Sequence, residues 1–293
     1  MKIINKNKRA NWSTLTQTDP PDFGSSKRLP RWLMNLFIKR RRKILKEIYL
    51  NHEYEVKIKH EFVSIVILSC KRLKELKRLV HSLKLFFENI EDYKYIEFIL
   101  VDNGSGDELI NWAKETNFFN NIIQYKKNIG MAAALNDAYK KIHGEFIMLI
   151  EDDFIIKYNY PFIQKTINIF REFNEIGIIR LKNQRNWGKK YRIIGPLRKT
   201  KDETKFWTWF PSLNGKLNVW AAGSVIFRKI SLLSTGEINY KENVSRNNNK
   251  HQGVFYEEIY GKRYNKKWLA GKIYNCYPFI QPNDNQESPG WKD

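Results

Sequence analysis

Three carboxylates stand in a row, Glu151-Asp152-Asp153, where an apolar run, Phe146-Ile147-Met148-Leu149-Ile150, stops. A short run of that kind reads as a buried strand, so the acids fall side by side at a sheet edge. Neighbouring like charges disfavour ionisation, which makes the cluster costly without a cation. Its oxygen donors suit a hard divalent ion, Mn2+ or Mg2+, and such an ion also neutralises a diphosphate. The bland alternative is a solvated acid cluster with no ligand. A second acidic pair, Glu257-Glu258, falls in a late helical stretch. A carboxylate there either removes a proton from a hydroxyl or is an ordinary helix-start acid favoured by the dipole.

The elements around these residues follow from apolar periodicity. Phe62–Leu68 is a β-branched apolar run and predicts a buried strand, followed by a helix over 71–87 with Leu73, Leu76, Leu79, Val80, Leu83 and Phe86 on one side. Strands at 96–101, 122–125 and 146–150 alternate with helices at 108–114 and 131–142. That alternation predicts an α/β fold, a mostly parallel sheet flanked by helices, whose ligands bind at the carboxyl ends of the strands. Asp102, Asn128 and Asp153 each fall just after a strand, so one crevice could take all three. Further on, 161–173 reads as a helix and 176–181 as a strand weakened by Gly177. Residues 218–227 read as a strand and 255–268 as a helix. The aromatic stretch from Phe206 to Trp220 is either core or a surface for stacking on sugar rings.

Residues 62–154 resemble glycosyltransferase family 2 enzymes of the GT-A (Rossmann-like) fold. The resemblance is carried by Ser64-Ile65-Val66-Ile67-Leu68-Ser69-Cys70-Lys71-Arg72, Val101-Asp102-Asn103-Gly104-Ser105, Asn128-Ile129-Gly130 with Asn136, and Glu151-Asp152-Asp153. It continues more loosely through Ala222-Gly223-Ser224-Val225-Ile226-Phe227-Arg228 and Tyr256-Glu257-Glu258. It implies a metal-dependent, inverting transfer from a nucleotide-sugar, with UDP as the expected nucleotide, to a glycan, lipid-linked or protein acceptor. Ser69, Arg72, Asp102, Asn103, Asn128, Gly130, Glu151, Asp152 and Gly223 would hold the donor, with Asp102 on a uracil ring N–H. Asp153 would ligate the metal, and Asp152 would meet ribose hydroxyls or the metal's water. Glu258 would be the base, with Glu257 next in line. Asp-Asn-Gly-Ser is also a strong turn sequence in its own right. The chain departs from the family in three places. The acidic pair is Glu-Glu in place of Glu-Asp, no histidine follows His251, and Leu135 stands where many relatives have arginine. The missing arginine leaves phosphate neutralisation to the metal and to Lys or Arg within 182–200.

The chain has 293 residues, 42% of them apolar, and a net charge of +21. Residues 1–61 read as a basic extension, part irregular and part helix, and 62–293 as the transferase domain. Residues 62–154 form its nucleotide-sugar half and 155–293 its acceptor half. A helix is expected over 31–50, with the block Lys39 to Lys43 beside Trp32 and Phe37. Segment 27–50 either touches an anionic membrane or packs on the domain with a solvated basic face. No apolar run is long enough to span a bilayer, the N-terminus is too polar for a signal peptide, and Cys70 and Cys276 are the two cysteines. The expectation is a cytoplasmic protein, peripheral on a membrane if that segment binds lipid. The charge also raises nucleic-acid binding, but no nucleic-acid module is recognisable. A nucleotidyltransferase would need a Gly-rich loop after the first strand, and Ser69-Cys70-Lys71-Arg72 has no glycine.

Overall fold

The computed structural model describes residues 27–28, 30–51, 58–156, 160–181, 193–210, 220, 222–238, 253–276 and 278–280, with backbone alone at 27, 28, 51, 193 and 253–258. In chain order the elements are β1 (Lys27–Arg28), α1 (Arg31–Asn51), β2 (Lys59–Ser69), α2 (Leu73–Asn89), β3 (Ile96–Asn103), α3 (Asp107–Glu115), β4 (Asn121–Tyr125) and α4 (Met131–Lys141). Next come β5 (Gly144–Glu151), β6 (Ile155–Ile156), α5 (Phe162–Glu172), β7 (Ile176–Arg180), β8 (Ile193–Ile194), β9 (Arg198–Lys199) and β10 (Lys205–Phe210). The chain continues through β11 (Val225–Arg228), α6 (Lys229–Thr235), α7 (Gly253–Lys267), β12 (Leu269–Ile273) and β13 (Phe279–Ile280).

The main sheet runs β1-β8-β10-β12-β7-β11-β5-β2-β3-β4, with β9 added on β10. Strands β4, β3, β2 and β5 are mutually parallel, as the alternation predicts. β11 is antiparallel to both β5 and β7, so β7 again points the same way as β5. β12 is parallel to β7, and β10 is antiparallel to β12. The sheet is therefore mixed, with its parallel block on the side that carries the acids.

β2 lies inside the sheet, and its run Val63–Ile67 is almost fully apolar because both of its faces are covered. Val63, Ile65 and Ile67 pack with Leu76, Leu79 and Leu83 of α2 and Ile163, Ile167 and Phe170 of α5. Val66 and Leu149 pack on the other face with Leu135 and Ala138 of α4 and Tyr264 of α7. Gly177 serves close approach: a side chain there would meet the Tyr264 hydroxyl at 2.4 Å and Trp268 at 2.9 Å. The expected weakness of that strand is thus offset by the helix and indole seated on it.

Several expectations change. The helix α1 packs on the domain, and its buried stripe is Met34, Ile38, Arg41, Leu45 and Ile48. Arg41 donates to the Asn265 carbonyl at 2.9 Å, and Arg42 pairs with buried Glu175 at 3.2 Å. Phe37 lies 6.1 Å from Phe210, inside the fold. Of the strand read at 218–227, Val225–Phe227 fall in β11 and Ala222, Gly223 and Ser224 form a bend before it, while 218, 219 and 221 lie outside the described residues. Phe206, Trp209, Phe210 and Trp220 are buried. Trp209 has Arg180 at 5.4 Å and Lys272 at 5.8 Å from its ring centre, and Trp220 meets Tyr260 edge-on at 4.9 Å. These four aromatics are core, the first of the two readings of the stretch, and residues 211–219 lie outside the described residues.

Glu91, at the start of the α2–β3 connection, is 3% exposed and accepts from the Ile163 N–H of α5 at 3.1 Å. Burial outweighs that bond and pushes its carboxyl up to about 7. A raised carboxyl contributes stability that is complete below the unfolded-chain value of about 4.3 and is lost as pH rises through about 7. Glu91→Gln keeps the acceptor and removes the charge. Its urea midpoint should match wild type near pH 3.5 and exceed it near pH 8.5. Equal midpoints at the higher pH would show that Glu91 is ionised without cost.

Candidate active site

The site is assembled by register. Ser69 of β2 pairs with Asp102 of β3, and Leu68 of β2 pairs with Glu151 of β5. Three parallel strands therefore end on one line, and Ser69, Asp102 and Glu151 stand next to one another at the carboxyl edge.

Asp152 and Asp153 form the turn after β5. Asp152 is 4% exposed. The Ser69 hydroxyl donates to its Oδ2 at 2.7 Å, and Arg72 Nη1 donates to its Oδ1 at 3.2 Å. The same guanidinium lies 3.4 Å from Asp153 Oδ2. One arginine thus bridges two neighbouring carboxylates. Burial still dominates at Asp152 and pushes its carboxyl up to about 6, with the Ser69 bond and Arg72 pulling the other way. Gly223 leaves room for this cluster: a side chain there would come within 3.0–3.3 Å of the Glu151 carboxylate.

Three loops behind the acids are laced together. Asp102 is fully buried, and its two oxygens accept from the Ser105 N–H at 3.1 and 3.3 Å. Burial raises its carboxyl, and those bonds with Gly104 partly offset it. Asp102 therefore has the turn role, and a carboxylate with about four lone-pair positions retains acceptor capacity beyond it. Asn103 donates to Asn128 Oδ1 at 2.9 Å and accepts from the Ile129 N–H at 2.9 Å. Asn128 Oδ1 also accepts from the Gly130 N–H at 2.8 Å. Ser105 Oγ accepts from the Lys71 N–H at 2.7 Å, and the Cys70 thiol points to the Asn103 carbonyl at 3.2 Å. Gly104 has φ +84°, and a side chain would strike the backbone of Lys127 and Asn128 at 2.5 Å. Only glycine fits there. Gly130 has φ +82° at the start of α4. Asn103, Asn128 and Gly130 thus build the walls of the crevice. Ser105 was missed as a member of this lacework, although Asp-Asn-Gly-Ser is a signature of an aspartate bonded to its own turn. Asn136 lies apart from the crevice and clamps Ile238 through both its N–H and its carbonyl, at 2.8 and 2.9 Å.

Glu257 and Glu258 lie in the second turn of α7, and their side chains are outside the described residues. Trp268 follows the last residue of α7 and leads into β12 beside the start of β7. His251, Trp187 and residues 182–192 are outside the described residues as well. Of the cations expected within 182–200, Arg198 is taken up by Glu175 at 2.7 Å and by the Phe173 ring at 4.1 Å. Leu135 is fully buried.

Among the described residues no group of three or more His, Cys, Asp or Glu could hold a metal ion. The donor set nevertheless fits a hard cation that takes one or two carboxylates from protein and the rest of its shell from phosphate and water. Asp152 and Asp153 are hard oxygen donors already gathered around a positive charge.

A parallel block, a β11 strand folded back on β5, and acids at the carboxyl edge define the GT-A class of glycosyltransferase folds. The likeness extends to solved structures. S. aureus TarS 1-349 in complex with UDP-GlcNAc matches at TM-score 0.51 and 15% identity, over 77% of this chain and 60% of that one. A mannosyltransferase of Pyrobaculum calidifontis in complex with GDP-Man and Mn2+ matches at TM-score 0.41 and 15% identity, over 70% of this chain and 55% of that one. The chain spans 60% or less of the length of these structures. No curated protein sequence matches it. The sequence profile described as Glycosyl transferase family 2 matches residues 64–220, more than half of the chain, and the chain belongs to that family.

Arg72→Met removes the cation between two carboxylates, one of them buried. Near pH 8 Asp152 is ionised, and the variant should lose about 1–3 kcal/mol by urea denaturation. Added Mn2+ should restore more stability to the variant than it adds to wild type, because the ion replaces the guanidinium. An unchanged midpoint without metal would mean that Arg72 does not compensate the acids.

Proposed function

We propose that the chain transfers a sugar from a nucleotide-sugar, with UDP as the nucleotide, to a hydroxyl of a glycan, lipid-linked or protein acceptor, with inversion at the anomeric carbon. One observation carries this reading: Ser69, Asp102, Glu151 and the Arg72-bridged pair Asp152–Asp153 converge on one sheet edge in a chain of this family. The complex of TarS with UDP-GlcNAc supports a nucleotide-sugar as the donor class.

Residue roles follow from chemistry. Asp102 accepts a hydrogen bond from the base, and the loops laced through Asn103, Asn128 and Gly130 hold the nucleotide against the strand ends. Asp153 would hold a divalent cation together with the diphosphate, and Asp152 would meet the ribose hydroxyls or the ion's water shell, supported by Glu151. When bound, that ion supplies Lewis acidity to the departing diphosphate. Arg72, now between the acids, sits where it can turn toward the same phosphates. Glu258 takes the acceptor proton as the acceptor oxygen forms its bond to the anomeric carbon and the bond to the diphosphate breaks. The contact of Tyr260, two residues after Glu258, with Trp220, three residues before Gly223, supports that placement, since Gly223 lies against Glu151.

A panel of nucleotide-sugars, scored for turnover and thermal shift with and without Mn2+, tests the reading. It expects metal-dependent stabilisation by a UDP-sugar, and no response to any member would contradict it. Glu258→Gln should then lower transfer by about 10²- to 10⁴-fold with donor affinity little changed. Glu257→Gln should be milder. A fully active Glu258→Gln enzyme would move the base to another residue.

A further inference from the structure

We propose that the outward face of α1 is a docking surface for an anionic lipid bilayer. The two faces of this helix are chemically distinct. Met34, Ile38, Arg41, Leu45 and Ile48 are buried in the domain. Trp32, Leu36, Lys39, Lys43, Lys46 and Leu50 recur every three or four residues on the opposite side, and all six are exposed. Trp32 is 69% exposed, Leu36 59% and Leu50 72%. Together with Tyr49 they are four of the six large hydrophobic side chains exposed among the described residues, so the apolar exposure is concentrated on this one helix. Arg41 and Arg42 are spent inward on Asn265 and Glu175, whereas Arg40 and the three lysines face solvent with Glu47 as the one acid of the helix.

The pattern selects the partner. Trp32 and Leu36 at one end and Leu50 about 27 Å away at the other need an apolar phase to enter. The lysines between them carry charge to headgroup level on flexible apolar stems. A bilayer surface offers both phases at once along a flat line, and anionic lipids complement the charge. A phosphodiester backbone would satisfy the lysines and leave the tryptophan and leucines in water. The helix is pre-folded on a rigid body, so docking costs little ordering. It lies along the starts of β7 and β12, through Arg42–Glu175 and the Tyr49–Trp268 ring contact at 6.4 Å. The acid-bearing strand ends are at the opposite edge, so a docked molecule keeps that crevice open to solvent.

The test uses the full chain and vesicle co-sedimentation, comparing zwitterionic vesicles with vesicles of about 30% anionic lipid at about 0.1 M salt. Wild type should bind the anionic vesicles alone and release at higher salt. Lys39→Glu/Lys43→Glu/Lys46→Glu should weaken partitioning by roughly 100-fold. Trp32→Ser/Leu36→Ser should weaken it at unchanged charge. Circular dichroism of both variants should match wild type, since the inward face is untouched. Absence of wild-type binding, or full retention by either variant, overturns the proposal. Duplex DNA binding that is tighter than vesicle binding and indifferent to Trp32→Ser/Leu36→Ser would also overturn it, in favour of a nucleic-acid partner. None of these readouts depends on glycosyl transfer.

Discussion

A carboxylate taken out of water must be compensated, and Asp152 sets that demand on the whole carboxyl edge. It is 4% exposed at the end of a central strand, and Asp153 follows it directly. Its compensation comes from two places on the neighbouring segment, the Ser69 hydroxyl at the last position of β2 and the Arg72 guanidinium just before α2. Those partners arrive only if β2 and β5 pair in parallel at the register Leu68–Glu151. Because side chains alternate along a strand, a one-residue slip would take Ser69 away from the acids and exchange Val63, Ile65 and Ile67 with Ser64 and Val66 between the two packed faces. The apolar core and the acid site therefore enforce the same register, and neither can move without the other.

The surrounding loops hold the remaining geometry. Asn103 and Asn128 tie the β3 turn to the loop before α4, and Gly104 lets the two backbones touch. On the other side of β5, the bend Ala222–Ser224 lays Gly223 against Glu151 and starts the antiparallel strand β11. The site is thus enclosed by backbone and short polar side chains, which leaves little freedom to the acids. Farther out, α1 closes the opposite edge of the sheet and contributes to both hydrophobic clusters.

Much of the first half was legible in the sequence because its signals are local. Continuous β-branched runs bounded by turn residues gave β2, β3 and β5, and acids at a strand end gave the candidate site. What stayed hidden depends on contacts distant in sequence. The inward turn of Arg41 on α1 was not legible, because it needs the Asn265 carbonyl 224 residues away. β10 was obscured because its aromatic residues read equally well as core or as sugar platform, and only the pairing with β12 buries them. The resemblance named Arg72 as a candidate donor residue, but its bridging of Asp152 and Asp153 follows from the parallel pairing of β2 with β5 and cannot be read from spacing. Gly177 looked like a defect and is a seat for Tyr264 and Trp268.

The central claim is that the Asp152–Asp153 pair is a cation site completed by a nucleoside diphosphate. The most direct measurement is the binding of Mn2+ followed by electron paramagnetic resonance, with and without UDP, on wild type and Asp153→Ala. The account predicts that UDP tightens Mn2+ binding by wild type at least about tenfold, with Mn2+ tightening UDP by the same factor as linkage requires. It predicts that Asp153→Ala loses this coupling while its circular dichroism is unchanged. UDP binding that is tight, metal-independent and equal in wild type and Asp153→Ala would contradict it.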